Sequence, residues 1–213
     1  FCIVPFTRGR ERSRSVDGIA REVKKAINNG FSEITLLGQN VNSYNYDDKK
    51  FPELLDAVAK VDGVKRIRYT SPHPQDINEE LLDIMAKHKN ICNYIHLPLQ
   101  AGSNRTLKRM NRTYTKEDFI ELAEKIRTFL PGVGISTDII VGFPGETEKE
   151  FNETLEVMRK VKFDSAYTFK YSPRKGTKAI EYDDQLSEKE KQHRLTKVIE
   201  LQKFNTELRN QSY

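Results

Sequence analysis

Residues Gly134-Ile135-Ser136-Thr137-Asp138-Ile139-Ile140-Val141 are followed directly by Gly142-Phe143-Pro144-Gly145-Glu146. The largely apolar run predicts a buried strand, and the Gly-rich turn ends it. Phe151, Leu155 and Met158 then have the spacing of one helix face. Because strand, turn and helix in this order form the repeating unit of α/β proteins, the stretch predicts one strand of a parallel sheet.

The same alternation continues in both directions along the chain. Short apolar runs predict four further strands, at residues 34–37, 66–70, 94–97 and 165–171. Segments with apolar residues at helical spacing lie between these strands. Ser15 is the expected N-cap of the first of these helices. A long polar helix from about Ser187 has Leu195, Val198, Ile199 and Leu208 as its apolar positions. Alternating strands and helices predict parallel strands with right-handed crossovers, in a barrel-like or a doubly wound sheet.

Composition limits the class of protein. The 213 residues, 37% of them hydrophobic, suffice for one α/β domain with a sizeable core. A net charge of +5 allows an anionic partner without requiring one. The two cysteines are too far apart in sequence to suggest a disulfide framework, which favours a reducing, cytoplasmic setting. No apolar run is long enough to span a membrane. Since the chain begins without Met, we expect a fragment or an excised domain.

Polar residues follow each predicted strand where it ends. They are Gly38-Gln39-Asn40, Thr70-Ser71, Gln100, Thr137-Asp138 and Lys170-Tyr171. Because parallel strands place ligand groups in the loops after their carboxyl ends, these residues predict a site at one rim. Asp138 is the most unusual of them, since a carboxylate buried in an apolar strand needs a partner or a ligand. The Gly142–Glu146 turn precedes a helix, where backbone amides can receive an anionic group.

The histidines and cysteines favour structural interpretations when each is considered alone. His73 and His96 are expected to be hydrogen-bonded core residues, and Cys92 a buried thiol without ligand spacing. Cys2 alone shows no ligand spacing, so an inert thiol and a metal ligand both stay open. Near the start of the chain every second residue is an arginine, at Arg8, Arg10, Arg12 and Arg14. They fit a loop that contacts phosphates and a solvated loop equally well.

Five motifs taken together resemble one family, the radical S-adenosylmethionine methylthiotransferases. The motifs span residues 2–14, 36–44, 96–104, 136–147 and 169–174, and include Cys2-Ile3-Val4-Pro5-Phe6, Gly38-Gln39-Asn40-Val41-Asn42-Ser43-Tyr44, Leu97-Pro98-Leu99-Gln100-Ala101-Gly102-Ser103, Val141-Gly142-Phe143-Pro144-Gly145-Glu146-Thr147 and Phe169-Lys170-Tyr171-Ser172-Pro173-Arg174. The resemblance covers nearly the whole chain in order. The Gly38–Tyr44 motif is most similar to the MiaB branch, which modifies tRNA, rather than to the branch that modifies a ribosomal protein.

The resemblance implies a fold and two cofactors. The fold is a partial (β/α)6 TIM-like barrel of parallel strands with outer helices, and its first strand is expected upstream of this chain. Residues 1–213 are the catalytic domain, and residues 187–213 are a helix leading out of it. Cys2 matches the third cysteine of the family's Cys-x3-Cys-x2-Cys motif, with Phe1 before it. Three such thiolates hold a 4Fe-4S cluster whose fourth iron binds S-adenosylmethionine. The family's second 4Fe-4S cluster belongs to an upstream domain, and an RNA-binding TRAM domain follows downstream.

The resemblance also implies roles for residues at the rim. Gly38, Gln39 and Asn40 match the turn that cradles the methionine end of the cofactor. Further implied cofactor contacts are Phe1, Ser71, Gln100, Thr137 and Asp138, and the turn with Gly142 and Glu146 near the adenine. Substrate contacts are implied for Arg8, Arg10, Arg12, Lys170 and Arg174.

The implied activity is 2-methylthiolation of N6-isopentenyladenosine beside the tRNA anticodon. The implied partners are the tRNA anticodon stem-loop and a flavodoxin- or ferredoxin-like electron donor, with the enzyme a monomer that does not contact a membrane. Alternatives within the family are action on threonylcarbamoyladenosine in tRNA or on a ribosomal protein. An alternative of another class is a non-catalytic basic α/β module that binds RNA, because the chain carries net positive charge.

Overall fold

A computed structural model describes residues 3, 4, 7, 9 and 12–211 of the chain. The predictions for Phe1, Cys2, Arg8 and Arg10 lie outside these residues. The helices are α1 (Val16–Asn28), α2 (Phe51–Ala59), α3 (Glu79–Lys87), α4 (Asn104–Arg109), α5 (Lys116–Phe129), α6 (Glu148–Val161) and α7 (Glu188–Asn210). The strands are β1 (Glu33–Leu36), β2 (Asn45–Tyr46), β3 (Lys49–Lys50), β4 (Arg66–Tyr69), β5 (Tyr94–His96), β6 (Gly134–Val141) and β7 (Ser165–Lys170). Short 3-10 turns span Val41–Ser43, Pro74–Asp76 and Lys178–Glu181.

The described residues form two compact units. The N-terminal unit contains residues 12–97 and 125–133, and the C-terminal unit contains residues 98–124 and 134–211 together with residues 3, 4, 7 and 9. None of the helices in the described part of the chain is both long enough and apolar enough to cross a membrane.

The N-terminal unit is built on the parallel pair β1–β4, in which Ile34 lies opposite Ile67. A parallel bridge from Ile67 to Ile91 extends this pairing. Helix α1 begins as predicted, because the Ser15 side chain accepts a hydrogen bond from the Gly18 amide. Leu55 and Leu81 are among the fully buried side chains of this core. The hydrophobic stripes of the sequence therefore become the packed faces of helices against the sheet.

The C-terminal unit is built on the parallel pair β6–β7, with Asp138 opposite Tyr167. Helix α6 connects the two strands, which makes a β-α-β unit. It begins with a capping box: the Thr147 side chain accepts a hydrogen bond from the Glu150 amide, and the Glu150 side chain accepts one from the Thr147 amide. Gln100 adds a parallel bridge to Ile139 on the other side of β6. The α/β class with parallel strands that the sequence predicts is therefore confirmed.

The predicted strands are all present, and most are one residue shorter at the carboxyl end. Leu37 is an example: it is apolar and was predicted to end β1, but it is 77% exposed and the strand ends at Leu36. The hairpin β2–β3 was not predicted, since its strands are two residues long and polar. Asp47 and Asp48 both have positive φ at its turn, at 50° and 60°, as a type I′ hairpin requires.

Helix α7 differs from its prediction in the face that it buries. Among the predicted apolar positions Val198 is fully buried, whereas Ile199 and Leu208 are 36% and 41% exposed. The other buried residues of this helix are polar: Lys191, Arg194, Gln202 and Asn205. Gln202 donates to the carbonyl of Phe163 at 2.9 Å, and so hydrogen bonds replace the expected apolar contacts on this face.

Candidate functional site

The loops after β1 and β4 meet at the carboxyl ends of these strands. The Val41 amide donates to the carbonyl of Ser71 at 3.3 Å. Gly38, Asn40 and Ser71 are exposed, and Ser71 has a φ of 56°, which is unusual for a residue with a Cβ. The structure therefore brings together Gly38–Asn40 and Ser71, as the rim hypothesis predicts for neighbouring parallel strands.

Asn42 connects the two loops, and the sequence interpretation did not assign it a role. It is 7% exposed, its amide nitrogen donates to the carbonyl of His73 at 2.9 Å, and its amide oxygen accepts from the His73 amide at 2.7 Å. Tyr44 donates to the carbonyl of Arg14 at 2.6 Å. Both residues belong to the Gly38–Tyr44 motif, so the motif itself was the signal. Its second half has a structural role, because it fixes the loop that carries Gly38–Asn40.

The C-terminal unit contains a second group of predicted residues around β6. The Gln100 amide donates to the carbonyl of Asp138 at 2.8 Å, and the Ile140 amide donates to the carbonyl of Gln100 at 2.8 Å. Thr137 is fully buried, and its hydroxyl accepts from the Leu99 amide at 3.0 Å. The structure thus places Gln100 beside Asp138, whereas the side chains of Thr137 and Asp138 lie on opposite faces of β6. Both residues lie within β6, contrary to the prediction that they follow its end. Backbone hydrogen bonds fix Gln100 in a left-handed conformation, with a φ of 70°.

Asp138 differs from its prediction in burial. Its side chain is half-buried rather than buried, and it has an interaction partner within the chain. Partial solvation also lowers the free-energy cost of the carboxylate. The expectation that Asp138 has a partner or a ligand is therefore met by a partner within the chain, while its role as a cofactor contact stays a prediction.

The Gly142–Glu146 turn after β6 is buried and closely held. Gly142 has a φ of 69°, and its amide donates to the Glu146 carboxylate at 3.1 Å. The Gly145 amide donates to the carbonyl of Asp184 at 2.7 Å, and the Glu146 amide donates to the carbonyl of Phe143 at 2.9 Å. The Gly142 amide therefore receives an anionic group of the chain itself, the Glu146 carboxylate, and the amides of Gly145 and Glu146 donate to backbone carbonyls. The proximity of this turn to a cofactor adenine stays a prediction.

A buried ion pair holds this turn in place. Arg194 of α7 donates to the Glu146 carboxylate at 2.7 Å and to the Glu146 carbonyl at 2.9 Å. Both side chains are at most 5% exposed. Burial raises the pKa of Glu146 above its ordinary value, and the hydrogen bonds from Arg194 and Gly142 oppose that rise. Arg194 was missed because the sequence predicts an apolar buried face for its helix.

The predicted substrate residues lie on the surface where they are described. Arg12 and Arg174 are exposed, and the Lys170 ammonium pairs with the Glu188 carboxylate at 3.0 Å. Arg12 belongs to the N-terminal unit, and Lys170 and Arg174 belong to the C-terminal unit. The assignments of these residues to substrate stay predictions.

The remaining histidine and cysteine interpretations can be compared with the structure. The Nδ1 atom of His73 accepts from the Gln75 amide at 3.4 Å, and His96 also has an interaction partner. Both residues are half-buried, so they are hydrogen-bonded but not fully in the core. Cys92 is a free thiol that is half-buried rather than buried. Among the described residues, no group of three or more His, Cys, Asp or Glu side chains could hold a metal ion.

Known proteins resemble this chain in sequence. The profile of the Radical SAM superfamily matches residues 1–158. The tRNA-2-methylthio-N(6)-dimethylallyladenosine synthase of Clostridium tetani is 49% identical over 100% of this chain and 48% of its own length. The proteins of the same name from Carboxydothermus hydrogenoformans and Acetivibrio thermocellus are 51% and 52% identical over 95% of this chain, and over 47% and 43% of their own lengths. The chain therefore spans about half the length of the relatives it matches.

Solved structures resemble it in fold. Escherichia coli coproporphyrinogen III oxidase, HemN, described as a radical SAM enzyme, matches with a TM-score of 0.63 and 17% identity over 89% of this chain and 46% of HemN. Streptococcus suis SuiB matches with a TM-score of 0.58 and 19% identity over 90% of this chain and 40% of SuiB. These similarities confirm the predicted fold class, that of the radical SAM core. On the match of its own sequence to the family profile, this chain belongs to the Radical SAM superfamily.

Proposed function

We propose that this chain is the catalytic core of a tRNA methylthiotransferase that converts N6-isopentenyladenosine to its 2-methylthio derivative. One observation carries the proposal: three relatives that share the name tRNA-2-methylthio-N(6)-dimethylallyladenosine synthase are about half identical to the chain along nearly all of its length. The proposal places the enzyme in the cytoplasm as a monomer, with a flavodoxin- or ferredoxin-like protein as electron donor.

The superfamily uses a 4Fe-4S cluster and S-adenosylmethionine. When bound, these cofactors supply radical chemistry that activates a C–H bond beyond the reach of acids and bases. We assign Cys2 as one cluster ligand, with two more cysteines upstream of this chain. Phe1 precedes that ligand and is assigned to the same cofactor site.

The described residues fit the chemistry of S-adenosylmethionine, which carries an ammonium group, a carboxylate and ribose hydroxyls. In the N-terminal unit, Gly38, Asn40 and Ser71 are exposed and Gln39 is half-buried, and this loop edge with its amide and hydroxyl groups is assigned to the methionine part. In the C-terminal unit, Asp138 is half-buried and offers a carboxylate, while Gln100 and Thr137 are buried, so we assign them to holding the strand that carries Asp138. Gly142 and Glu146 contribute by shaping the turn, since the Glu146 carboxylate is paired with Arg194.

The test uses the full-length protein, reconstituted with iron and sulfide without oxygen. It receives S-adenosylmethionine, a reductant and tRNA that contains N6-isopentenyladenosine, and the digested nucleosides are analysed by mass spectrometry. We expect a nucleoside in which one methylthio group replaces one hydrogen. An unmodified nucleoside together with cleaved S-adenosylmethionine would contradict the substrate assignment, and parallel reactions with threonylcarbamoyladenosine tRNA and a ribosomal protein would then identify the alternative.

The chain offers a matched pair of cysteine variants for this assay. Cys2→Ala is expected to abolish product and to lower bound iron, because three thiolates are needed to hold the cluster. Cys92→Ala is expected to keep both, because Cys92 is a half-buried free thiol outside any described ligand cluster. RNA binding without iron and without product in the wild type would instead favour the non-catalytic RNA-binding module.

A further inference from the structure

The two faces of the β6–β7 pair differ in burial. Side chains opposite each other in parallel strands lie on the same face of the sheet, and successive side chains alternate. On one face Thr137, Ile139 and Val141 are fully buried. On the other face Asp138 lies opposite Tyr167, and Ile140 lies opposite Phe169. We call these four residues of the second face the open face.

Two aromatic rings dominate the open face. Tyr167 is 59% exposed and Phe169 is 52% exposed, although parallel sheets are usually covered on both sides. The two residues are separated by one position of β7, so their side chains repeat at about 6.6–7 Å along the strand. Rings at this spacing can contact one flat aromatic group and an apolar substituent attached to it. The open face is therefore suited to a ligand that combines both features.

The segment that follows β7 begins with cations. Arg174, Lys175 and Lys178 are exposed and precede the first acidic residue of the segment, Glu181. Aromatic side chains beside cations are the usual means of binding unstacked nucleic-acid bases, since rings stack on the bases and cations contact phosphates. A protein partner would be expected to need a larger continuous apolar surface than two rings bordered by Ser165 and Lys170, which are both exposed.

We propose that Tyr167 and Phe169 form the platform on which the target purine of the RNA stacks, with its isopentenyl group against the second ring. This inference rests on the proposed function and deepens it, because it assigns substrate recognition to β7. The open face is continuous with the candidate site, because Asp138 belongs to both. The platform explains why two large aromatic side chains remain exposed on a strand whose other face contacts a helix.

The experiment uses the full-length reconstituted enzyme and anticodon stem-loop RNAs with either N6-isopentenyladenosine or an abasic residue at the target position. Each of Tyr167→Ala and Phe169→Ala is expected to weaken binding of the isopentenyl RNA about 10-fold and to raise KM similarly, within the range measured for the loss of one base–ring stack. Binding of the abasic RNA should stay unchanged, because that RNA has no base to stack. Tyr167→Phe and Phe169→Tyr keep an aromatic ring at each position and should bind the isopentenyl RNA as the wild type does.

Phe204→Ala is the matched control. Phe204 lies on α7 and is 57% exposed, so its loss removes a comparable exposed ring away from the open face. It is expected to leave RNA binding unchanged. Cleavage of S-adenosylmethionine without RNA should be unchanged in every variant, which shows that the cofactor site is intact.

Three results would overturn the platform. The first is wild-type affinity of the Tyr167→Ala/Phe169→Ala double variant for the isopentenyl RNA. The second is an equal loss for the isopentenyl and the abasic RNA, which would indicate contact with the backbone or with another protein segment. The third is a loss of S-adenosylmethionine cleavage in the absence of RNA. If the wild type forms no methylthio product while the ring-dependent binding is observed, the proposed function fails and the platform stands.

Discussion

The turns after β1 and β6 look alike in sequence and differ in structure. Each follows an apolar strand and contains glycine, as Gly38-Gln39-Asn40 and as Gly142-Phe143-Pro144-Gly145-Glu146. The first turn is largely exposed, and Asn42 fixes the loop after it. The second is largely buried, and its amides already donate to acceptors of the chain. A glycine-containing turn at a strand end can therefore either expose groups to a ligand or support the strand end. The packing around the turn determines which of these two roles it has.

The largest expected effect comes from breaking the support of the second turn. Arg194→Ala leaves the Glu146 carboxylate buried without its partner, so we expect the free energy of unfolding to fall by about 3–5 kcal/mol. Urea unfolding of the 213-residue chain followed by circular dichroism measures this loss. Hydrogen exchange at the Gly142 amide, which donates to Glu146, should accelerate together with it.

Two variants control for charge and for exposure. Arg194→Lys keeps the charge but loses the guanidinium geometry, so an intermediate loss is expected. Arg66→Ala removes a surface ion pair with Glu33, in which the arginine is 58% exposed, and should destabilise the protein far less than Arg194→Ala, because solvent screens the pair. Equal stability of Arg194→Ala and Arg66→Ala would show that the buried pair does not support the turn.

A smaller effect is expected from breaking the connection of the first turn. Asn42→Ala removes two hydrogen bonds with the backbone of His73 and should cost about 2 kcal/mol. Faster hydrogen exchange should be confined to this loop, including the Val41 amide that donates to Ser71. Asn45→Ala, at an exposed asparagine nearby, is the control and should be nearly neutral. Unchanged exchange at Val41 in Asn42→Ala would show that the loops hold together without this side chain.

The smallest change is expected in how stability depends on pH, and its sign differs between Asp56 in the N-terminal unit and Glu146 in the C-terminal unit. In the N-terminal unit, hydrogen bonds from Lys60 and His88 hold the pKa of Asp56 below its ordinary value of 3.8. Its contribution to stability is therefore present above that pH and is lost as the pH falls further. In the C-terminal unit burial raises the pKa of Glu146, so its contribution is present at low pH and is lost as the pH rises through that pKa.

Variants at these two carboxyls test the signs. Between about pH 5 and pH 3, Asp56→Asn should reduce the acid-induced loss of stability by about 1 kcal/mol, a value kept small because surrounding solvent screens the exposed Lys60 and Lys87. Glu146→Gln should make the loss in the same range steeper, because it removes a group whose protonation favours the folded state. Urea unfolding at each pH provides the measurement. If the free energy of unfolding of both variants depends on pH as it does in the wild type, the pKa directions given for Asp56 and Glu146 are contradicted.

The sequence predicted elements best where local pattern was strong. The bounds of β6 match the prediction, because an apolar run that ends at glycine specifies a strand without reference to the rest of the chain. The β2–β3 hairpin was missed because two-residue polar strands carry too little pattern. The role of Arg194 was also missed, because its partner Glu146 lies 48 positions away in sequence and apolar spacing gives no indication of a buried ion pair.

Local pattern in the sequence was enough to predict the parallel strands that alternate with helices and, through the motifs, the superfamily. These features depend on residues that are neighbours in the chain. Packing, in contrast, was needed to show that Asn42 connects two loops, that Glu146 pairs with Arg194, and that Tyr167 and Phe169 remain exposed on the open face. Burial and hydrogen-bond partners depend on contacts between segments that are distant in sequence, and no local pattern specifies those contacts.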